Sequence, residues 1–91
     1  KYYRLTCEVN VALGSQTTLV RDVLLQVANN HDEVIHSSGR NKPVVLFRAF
    51  GDNHLVFQLS CLIKDVNKKL AVQSELNFAI DQAFRENNIH L

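Results

Sequence analysis

The chain has 91 residues, a formal net charge of +1, and 46% hydrophobic against 21% charged residues, the composition of an ordinary globular domain. The balanced charge argues against binding of a polyanion, since nucleic-acid-binding domains concentrate basic residues. The longest apolar run, residues 44–47, is far shorter than the roughly 20 residues that cross a bilayer. We expect one domain over residues 1–91, and because the chain starts at Lys1 and has no Met, we interpret it as a piece of a larger protein.

A first strand is predicted over residues 4–13, where apolar and polar residues alternate with the period of a half-buried strand. The predicted inward side chains are Leu5, Cys7, Val9, Val11 and Leu13. Cys7 and Cys61 both fall on inward strand faces, where a free thiol acts as a small hydrophobe. We therefore expect two reduced structural cysteines and a reducing compartment.

A first helix is predicted after Gly14, with Ser15 as its N-cap. Its apolar residues recur at helical spacing up to residues 29–30. They are Val20, Val23, Leu24 and Val27. A polar loop over residues 36–43 then ends at Pro43.

Residues 43–64 read as two alternating segments joined by a short turn, which predicts a β-hairpin. The predicted turn residues are Gly51, Asp52 and Asn53. Directly opposed residues share a face, so a three-residue loop would set Phe47 against Phe57 and Val45 against Leu59, all inward. A four-residue loop would instead set Arg48 against Phe57 on the core side. We therefore predict the three-residue loop.

A second helix is predicted after residue 64, with Asp65 or Asn67 as its N-cap. It ends at Asn87 and Asn88, which tolerate the left-handed conformation common at helix ends. One apolar stripe runs along it: Val72, Leu76, Ala79, Ile80, Ala83 and Phe84. We interpret residues 89–91 as the start of a strand that is cut short.

The predicted element order is β-α-β-β-α, an α+β pattern of the ferredoxin-like type. Right-handed crossover and hairpin pairing place the third strand between the first and second, in an antiparallel sheet with both helices on one face.

The helix-free face of this sheet is predicted to be more apolar than a solvated sheet face should be. We take it as a candidate interface with another domain or subunit, with scattered surface hydrophobes as the alternative. The candidate interface residues are Val44, Leu46, Arg48, Val56 and Leu62.

Few side chains are arranged for chemistry. His31 and His36 are five residues apart, which does not bring two rings to one helix face, so we predict a solvated helix end and no metal or cofactor. Residues 37–40 could hold an anion through backbone N–H groups and Arg40, although a plain loop is the favoured interpretation. We identify no catalytic residues and expect no enzyme. Because Phe47 and Phe57 are predicted inward, no aromatic platform is available for nucleic acid.

Residues 45–63, followed by a basic loop and a helix, resemble the C-terminal cytoplasmic domain of MscS-type small-conductance mechanosensitive channels. Residues 9–31 are similar to the strand and first helix of the same domain. The matching residues are Phe47, Phe50, Gly51, Asp52, Leu55, Phe57, Leu59, Ser74, Glu75, Leu76, Asn88 and Ile89.

This resemblance implies a homo-oligomeric, usually heptameric, channel of the bacterial inner membrane. Such channels open under bilayer tension and release ions and small solutes on hypo-osmotic shock. The chain would form part of a cytoplasmic vestibule, contribute to assembly, and meet the membrane only through transmembrane helices upstream of it. The resemblance carries no catalytic residue and no cofactor.

Two other functions are considered. A small-molecule-sensing regulatory domain of a larger soluble protein would need a polar pocket near Gly14, Ser15 and residues 36–43. Nucleic-acid binding has the weakest support and would show salt-sensitive affinity.

Overall fold

A computed structural model, which describes residues 1–36 and 39–91, shows a three-stranded antiparallel sheet and two long helices. The elements are β1 (Tyr3–Ala12), α1 (Thr17–Asn29), β2 (Val44–Phe50), β3 (His54–Ile63) and α2 (Lys69–Glu86), with 3-10 turns at Gly39–Asn41 and Val66–Lys68. The strand order is β1-β3-β2. The predicted α+β, ferredoxin-like arrangement with the third strand in the centre is confirmed.

The core lies between one face of the sheet and the two helices. The inward residues of β1 and β3 are buried, apart from the half-buried Tyr3 at the start of β1, because the alternation in both strands matches the pleat. Helix α1 packs over β2 and β3, whereas α2 packs over β1. The largest fully buried side chains are Leu5, Val11, Val20, Leu24, Phe57, Leu59, Cys61, Ile63, Val72, Leu76 and Phe84.

The connection from β1 to α1 differs from the sequence prediction. Leu13 is 54% exposed, since β1 ends at Ala12 and Gly14 turns the chain with a φ of 87°. The Ser15 hydroxyl donates a hydrogen bond to the Ala12 carbonyl oxygen at 2.6 Å, which closes the turn. Ser15 is therefore not the N-cap of α1. Gln16 holds that position, in an extended conformation and without a side-chain capping bond.

The hairpin keeps the predicted pairing of Phe47 with Phe57 by a different route. Near the turn Phe50 pairs with Leu55, and the Gly51 N–H donates to the His54 carbonyl oxygen at 2.7 Å. A register shift between residues 47 and 49 then restores the pairing of Phe47 with Phe57. The predicted turn residues Gly51, Asp52 and Asn53 do lie between the two strands, but the loop does not set the register as predicted, because a β-bulge absorbs the odd residue.

Strand β2 lies at the edge of the sheet and is poorly covered. Phe47, which was predicted inward, is on the helix side of the sheet but remains 41% exposed. Val45 on the same side is half-buried. The reason is positional, since α1 and α2 cover β3 and β1 more completely than they cover an edge strand.

The C-terminal end of α2 follows the predicted chemistry, whereas its N-cap is Lys68, without a side-chain capping bond, and not Asp65 or Asn67. The Asp65 Oδ1 atom accepts a hydrogen bond from the Asn67 N–H at 2.9 Å, which caps the 3-10 turn that leads into the helix. At the other end Asn88 has a φ of 58°, and the Ile89 N–H donates to the Phe84 carbonyl oxygen at 2.9 Å. This is a Schellman arrangement, completed by the buried side chains of Ile89 and Phe84.

Replacement of Phe57 by Ala should lower the free energy of unfolding by about 3 to 5 kcal/mol, because the ring is 1% exposed at the centre of the core. The matched control is Phe50→Ala, whose ring is 79% exposed and whose removal should cost less than about 1 kcal/mol. Urea denaturation of both variants measures the difference. An unchanged midpoint for Phe57→Ala would contradict the core assignment.

Candidate subunit interface

The predicted interface residues of the helix-free face lie on that face. Val44 is opposite Ser60, Leu46 is opposite Gln58, and Leu62 is opposite Arg4 across the sheet. Their exposure differs, since Val44 and Leu46 are 40% and 46% exposed while Val56 and Leu62 are half-buried. Strand β2 therefore carries the more accessible apolar residues of this face.

Arg48 lies at the bulge and is held over the same face. Its Nη1 atom donates a hydrogen bond to the Gln58 Oε1 atom, and the residue stays exposed. The Arg48 guanidinium therefore keeps most of its five donors for other partners.

The helix side of the same edge strand is aromatic. The Phe47 and Phe57 rings stack with centroids 4.7 Å apart, and Phe50 lies 5.0 Å from Phe47. A shallow groove of about 180 Å³ runs between the Phe47 and Phe57 rings and the start of α1, where Thr17 and Arg21 line it. Sequence reasoning missed that Phe50 lies on the helix side of the sheet, opposite Leu55, because the bulge that sets its direction has no distinct sequence signal.

We call the exposed edge of the sheet the β2 surface. It combines apolar side chains with three exposed basic residues, and its outer backbone edge pairs with no other strand among the described residues. Its members are Arg40, Lys42, Val44, Leu46, Phe47, Arg48 and Phe50.

Helix α2 carries a second exposed apolar surface that sequence reasoning missed. Leu70 is 86% exposed and Phe78 is 77% exposed, with Ser74 between them at four-residue spacing. The i, i+4, i+8 spacing was a usable signal, since such residues share one helix face. Phe78 borders a depression that it shares with Ser74, Asn77 and Asp81.

A neighbouring cleft of about 320 Å³ separates α2 from β1. Glu8 and Asn10 line it from the strand, Asn77 and Asp81 from the helix, and Leu91 from the end of the chain. We call this region the α2 surface, formed by Glu8, Ser74, Glu75, Asn77, Phe78, Asp81 and Leu91. Asp81 also forms an exposed ion pair with Arg85 at 3.0 Å.

His31 is not the solvated helix end that the sequence predicted. Its Nε2 atom lies 2.6 Å from the Glu75 Oε1 atom, and its Nδ1 atom accepts a hydrogen bond from the Glu33 N–H at 3.1 Å. In the neutral ring the hydrogen therefore resides on Nε2. Lys68 reaches Glu33 at 3.2 Å, so polar contacts join the segment after α1 to α2. Over residues 1–36 and 39–91 no cluster of His, Cys, Asp or Glu is arranged to hold a metal.

A cleft with a mixed polar and apolar lining lies where β1, the start of α1 and the end of α2 meet. It measures about 330 Å³ and includes Gly14, Ser15, Asn87 and His90 in its lining. The described residues of the 36–43 connection do not line it, so the two regions that a sensing pocket would need are apart. In the anion site considered for residues 37–40, Arg40 is exposed in a 3-10 turn, while residues 37 and 38 lie outside the described residues.

Both cysteines are buried free thiols, as predicted. Burial raises the pKa of Cys61 to about 11, with a further rise from neighbouring Cys7 and a smaller opposing effect of Arg4. Burial also raises the pKa of Cys7, against a hydrogen bond that the Gln73 Nε2 atom donates to its Sγ atom at 3.1 Å. A raised pKa makes both thiols poor nucleophiles at neutral pH.

Within the part of the chain that the structure describes, no helix is both long and apolar enough to cross a membrane. Comparison with known families gives one that fits the fold. The family described as "Mechanosensitive ion channel MscS, C-terminal" matches residues 5–91. The chain belongs to the MscS family.

Two curated MscS-family relatives support this assignment. The mechanosensitive channel MscK of Escherichia coli is 38% identical over 88 residues, and an uncharacterised MscS family protein of Haemophilus influenzae is 34% identical over 88 residues. Each alignment covers 97% of this chain but 8% of the relative. The MscS resemblance predicted from the sequence is confirmed, and the chain spans less than a tenth of the length of these relatives.

The stability of the folded chain should fall as the pH rises from about 9 to 11. The folded-state pKa of Cys61 is above its unfolded value, so the folded state holds the thiol proton more tightly. The stability that this difference contributes is fully present below the unfolded pKa and is lost as the pH rises through the folded pKa. A shift of this size corresponds to roughly 2 to 3 kcal/mol once the pH exceeds the folded pKa. Urea midpoints measured across this range should decline less steeply for Cys61→Ala than for the wild type.

The Cys61→Ala comparison is needed because lysine and tyrosine side chains also titrate at high pH. The comparison uses the slope against pH and not the absolute stability, since the substitution also leaves a cavity. If the urea midpoint fell equally steeply with pH in both proteins, the loss of stability could not be assigned to the Cys61 thiol.

Proposed function

We propose that this chain is the C-terminal domain of a longer mechanosensitive channel of the bacterial inner membrane. The channel would release ions and small solutes on hypo-osmotic shock, and this domain would lie on the cytoplasmic side and help to form a vestibule. The single observation that carries the proposal is the family match over residues 5–91, in a chain whose fold agrees with it.

The role we propose for the domain is assembly with further copies of itself, in a heptamer in the full-length protein. The support is the β2 surface, where four large apolar side chains are at least 40% exposed. They lie on strand β2, whose outer edge pairs with no other strand among the described residues. Protected edge strands are short, charged or covered. An apolar edge of this kind favours a partner that covers it in the assembled protein.

We further propose that the domain has no enzymatic role. The relatives are named as MscS-family or mechanosensitive channel proteins, and the cysteine thiols are buried with raised pKa values. The domain contributes folding and contacts between subunits, and it binds no cofactor.

The proposal predicts that the full-length gene product rescues bacteria lacking their own mechanosensitive channels from hypo-osmotic downshock. Leu46→Asp should reduce this survival, because a carboxylate buried unpaired at a subunit contact weakens association by about tenfold or more, a cost of about 1.4 kcal/mol or more. The matched control is Val66→Asp, since Val66 is also 46% exposed but lies outside the β2 surface. Colony counts after downshock and patch-clamp recording under suction measure both effects.

Two results would contradict the proposal. The first is a full-length wild type that reaches the membrane but neither rescues survival nor conducts under tension. The second is equal survival for Leu46→Asp and the wild type, which would remove the assembly role of the β2 surface.

A further inference from the structure

We infer that the β2 surface of one copy docks on the α2 surface of a second copy, so that neighbouring domains associate head to tail. This inference rests on the proposed assembly of the chain with itself. It adds which two surfaces meet and why two like surfaces do not.

The two surfaces lie on different sides of the same domain. Strand β3 separates β1 from β2, so the edges of the sheet are two strand spacings, roughly 10 Å, apart. Helix α2 packs over β1, whereas α1 packs over β2. The β2 surface and the α2 surface therefore cannot cover each other within one molecule.

The charges of the two surfaces are opposite. Residues 39–50 contain Arg40, Lys42 and Arg48 and no acidic residue, and all three basic residues are exposed. On the α2 surface Glu75 and Asp81 flank Phe78 at three-residue spacing, which places them beside its ring. Arg85 offsets part of this charge through its pair with Asp81, and the Glu75 Oε1 atom is held by the His31 Nε2 atom at 2.6 Å, while Glu8 adds a further carboxylate across the cleft.

The shapes of the two surfaces are also unlike. The β2 surface projects the Phe50 ring, which is 79% exposed, beside the half-exposed Phe47 ring, while the half-exposed Leu46 lies on the opposite face of the strand. The α2 surface is concave next to Phe78, with the cleft of about 320 Å³ between α2 and β1. A projecting aromatic ring suits a partly apolar cleft, where aromatic side chains supply much of the binding energy of interfaces.

These features favour a heterologous contact over a two-fold one. An isologous contact between two β2 surfaces would bring Arg40, Lys42 and Arg48 of each copy together, and the repulsion of like charges opposes such a pairing. A heterologous contact repeats from copy to copy and closes into a ring when the rotation between neighbours permits it. The same two surfaces then serve every subunit of the ring.

Cross-linking of two differently tagged full-length forms tests this pairing in membranes. One form carries Ala49→Cys, between Arg48 and Phe50 of the β2 surface, and the other carries Ser74→Cys in the α2 surface; both sites are exposed, and both substitutions are small. A short bismaleimide reagent should give a cross-linked dimer with both tags from the mixed sample. Its yield should be at least about fivefold above the yield of cross-linked dimer from either form alone. Asp32→Cys, at an exposed position outside both surfaces, replaces Ser74→Cys in the control mixture.

Charge reversal adds a second readout. Arg48→Glu in the Ala49→Cys form should lower the yield of the mixed product by about tenfold, and Asp81→Arg in the partner form should recover part of it. A structural defect in either variant would lower the yield without recovery in the double combination.

Three outcomes would overturn the inference. Cross-linking of Ala49→Cys with itself as strongly as in the mixture would show an isologous contact. Absence of the mixed product from a protein that rescues downshock survival and migrates as an oligomer on native gels would show that other surfaces meet, with the proposed function intact. A protein that is monomeric on native gels and gives no rescue would remove the proposed function together with the inference.

Discussion

The burial of one face of β3 is the interaction on which the rest of the structure depends. This strand pairs on both sides, with β1 along its whole length and with β2 up to Ser60, and its inward side chains are all nearly inaccessible to solvent. Both helices are placed by this face, since α1 packs over its β2 side and α2 over the adjoining strand β1. Phe57 is its largest side chain, so packing around one ring links the sheet to the helix layer.

The same arrangement leaves β2 dependent on a partner. An edge strand gains hydrogen bonds on one side only, and β2 gains little burial because the helices leave it exposed. Edge strands of stable monomers usually reduce the risk of unwanted pairing with charge or irregular geometry. Strand β2 has both the bulge and Arg48, yet it keeps a row of apolar side chains, which favours a specific partner over general solvation.

Much of the fold could be predicted from the sequence, because alternation in β1 and β3 and helical spacing in α1 and α2 each satisfy one burial requirement. The pairing of Phe47 with Phe57 followed from the need to keep both on one face. The bulge at Arg48 could not be predicted, since local register is decided by how the hairpin closes and not by periodicity. The exposure of Phe47 was also missed, because periodicity gives the side of a sheet but not how far the helices extend over it.

The candidate site was predictable to a similar degree. Val44 and Leu46 were recognised as apolar residues on the helix-free face, where parity alone decides their direction. The outward position of Phe78 depends on which side of α2 meets the sheet, and the long apolar stripe of Val72, Leu76 and Ile80 drew attention to the opposite side of the helix. Ser15 was misassigned because a serine before a helix can bond either to the helix N–H groups or back to the preceding strand.

The cap at the end of α2 has a mechanical consequence. The left-handed turn at Asn88 brings Ile89 back onto Phe84, and the His90 carbonyl oxygen accepts a hydrogen bond from the Ala12 N–H at 2.8 Å. The chain is thus clamped at two successive residues, once to the helix and once to the end of β1. A load applied along residues 89–91 would pass into the sheet as well as into α2, so that tilting the helix alone would require breaking a hydrogen bond and a packed contact together.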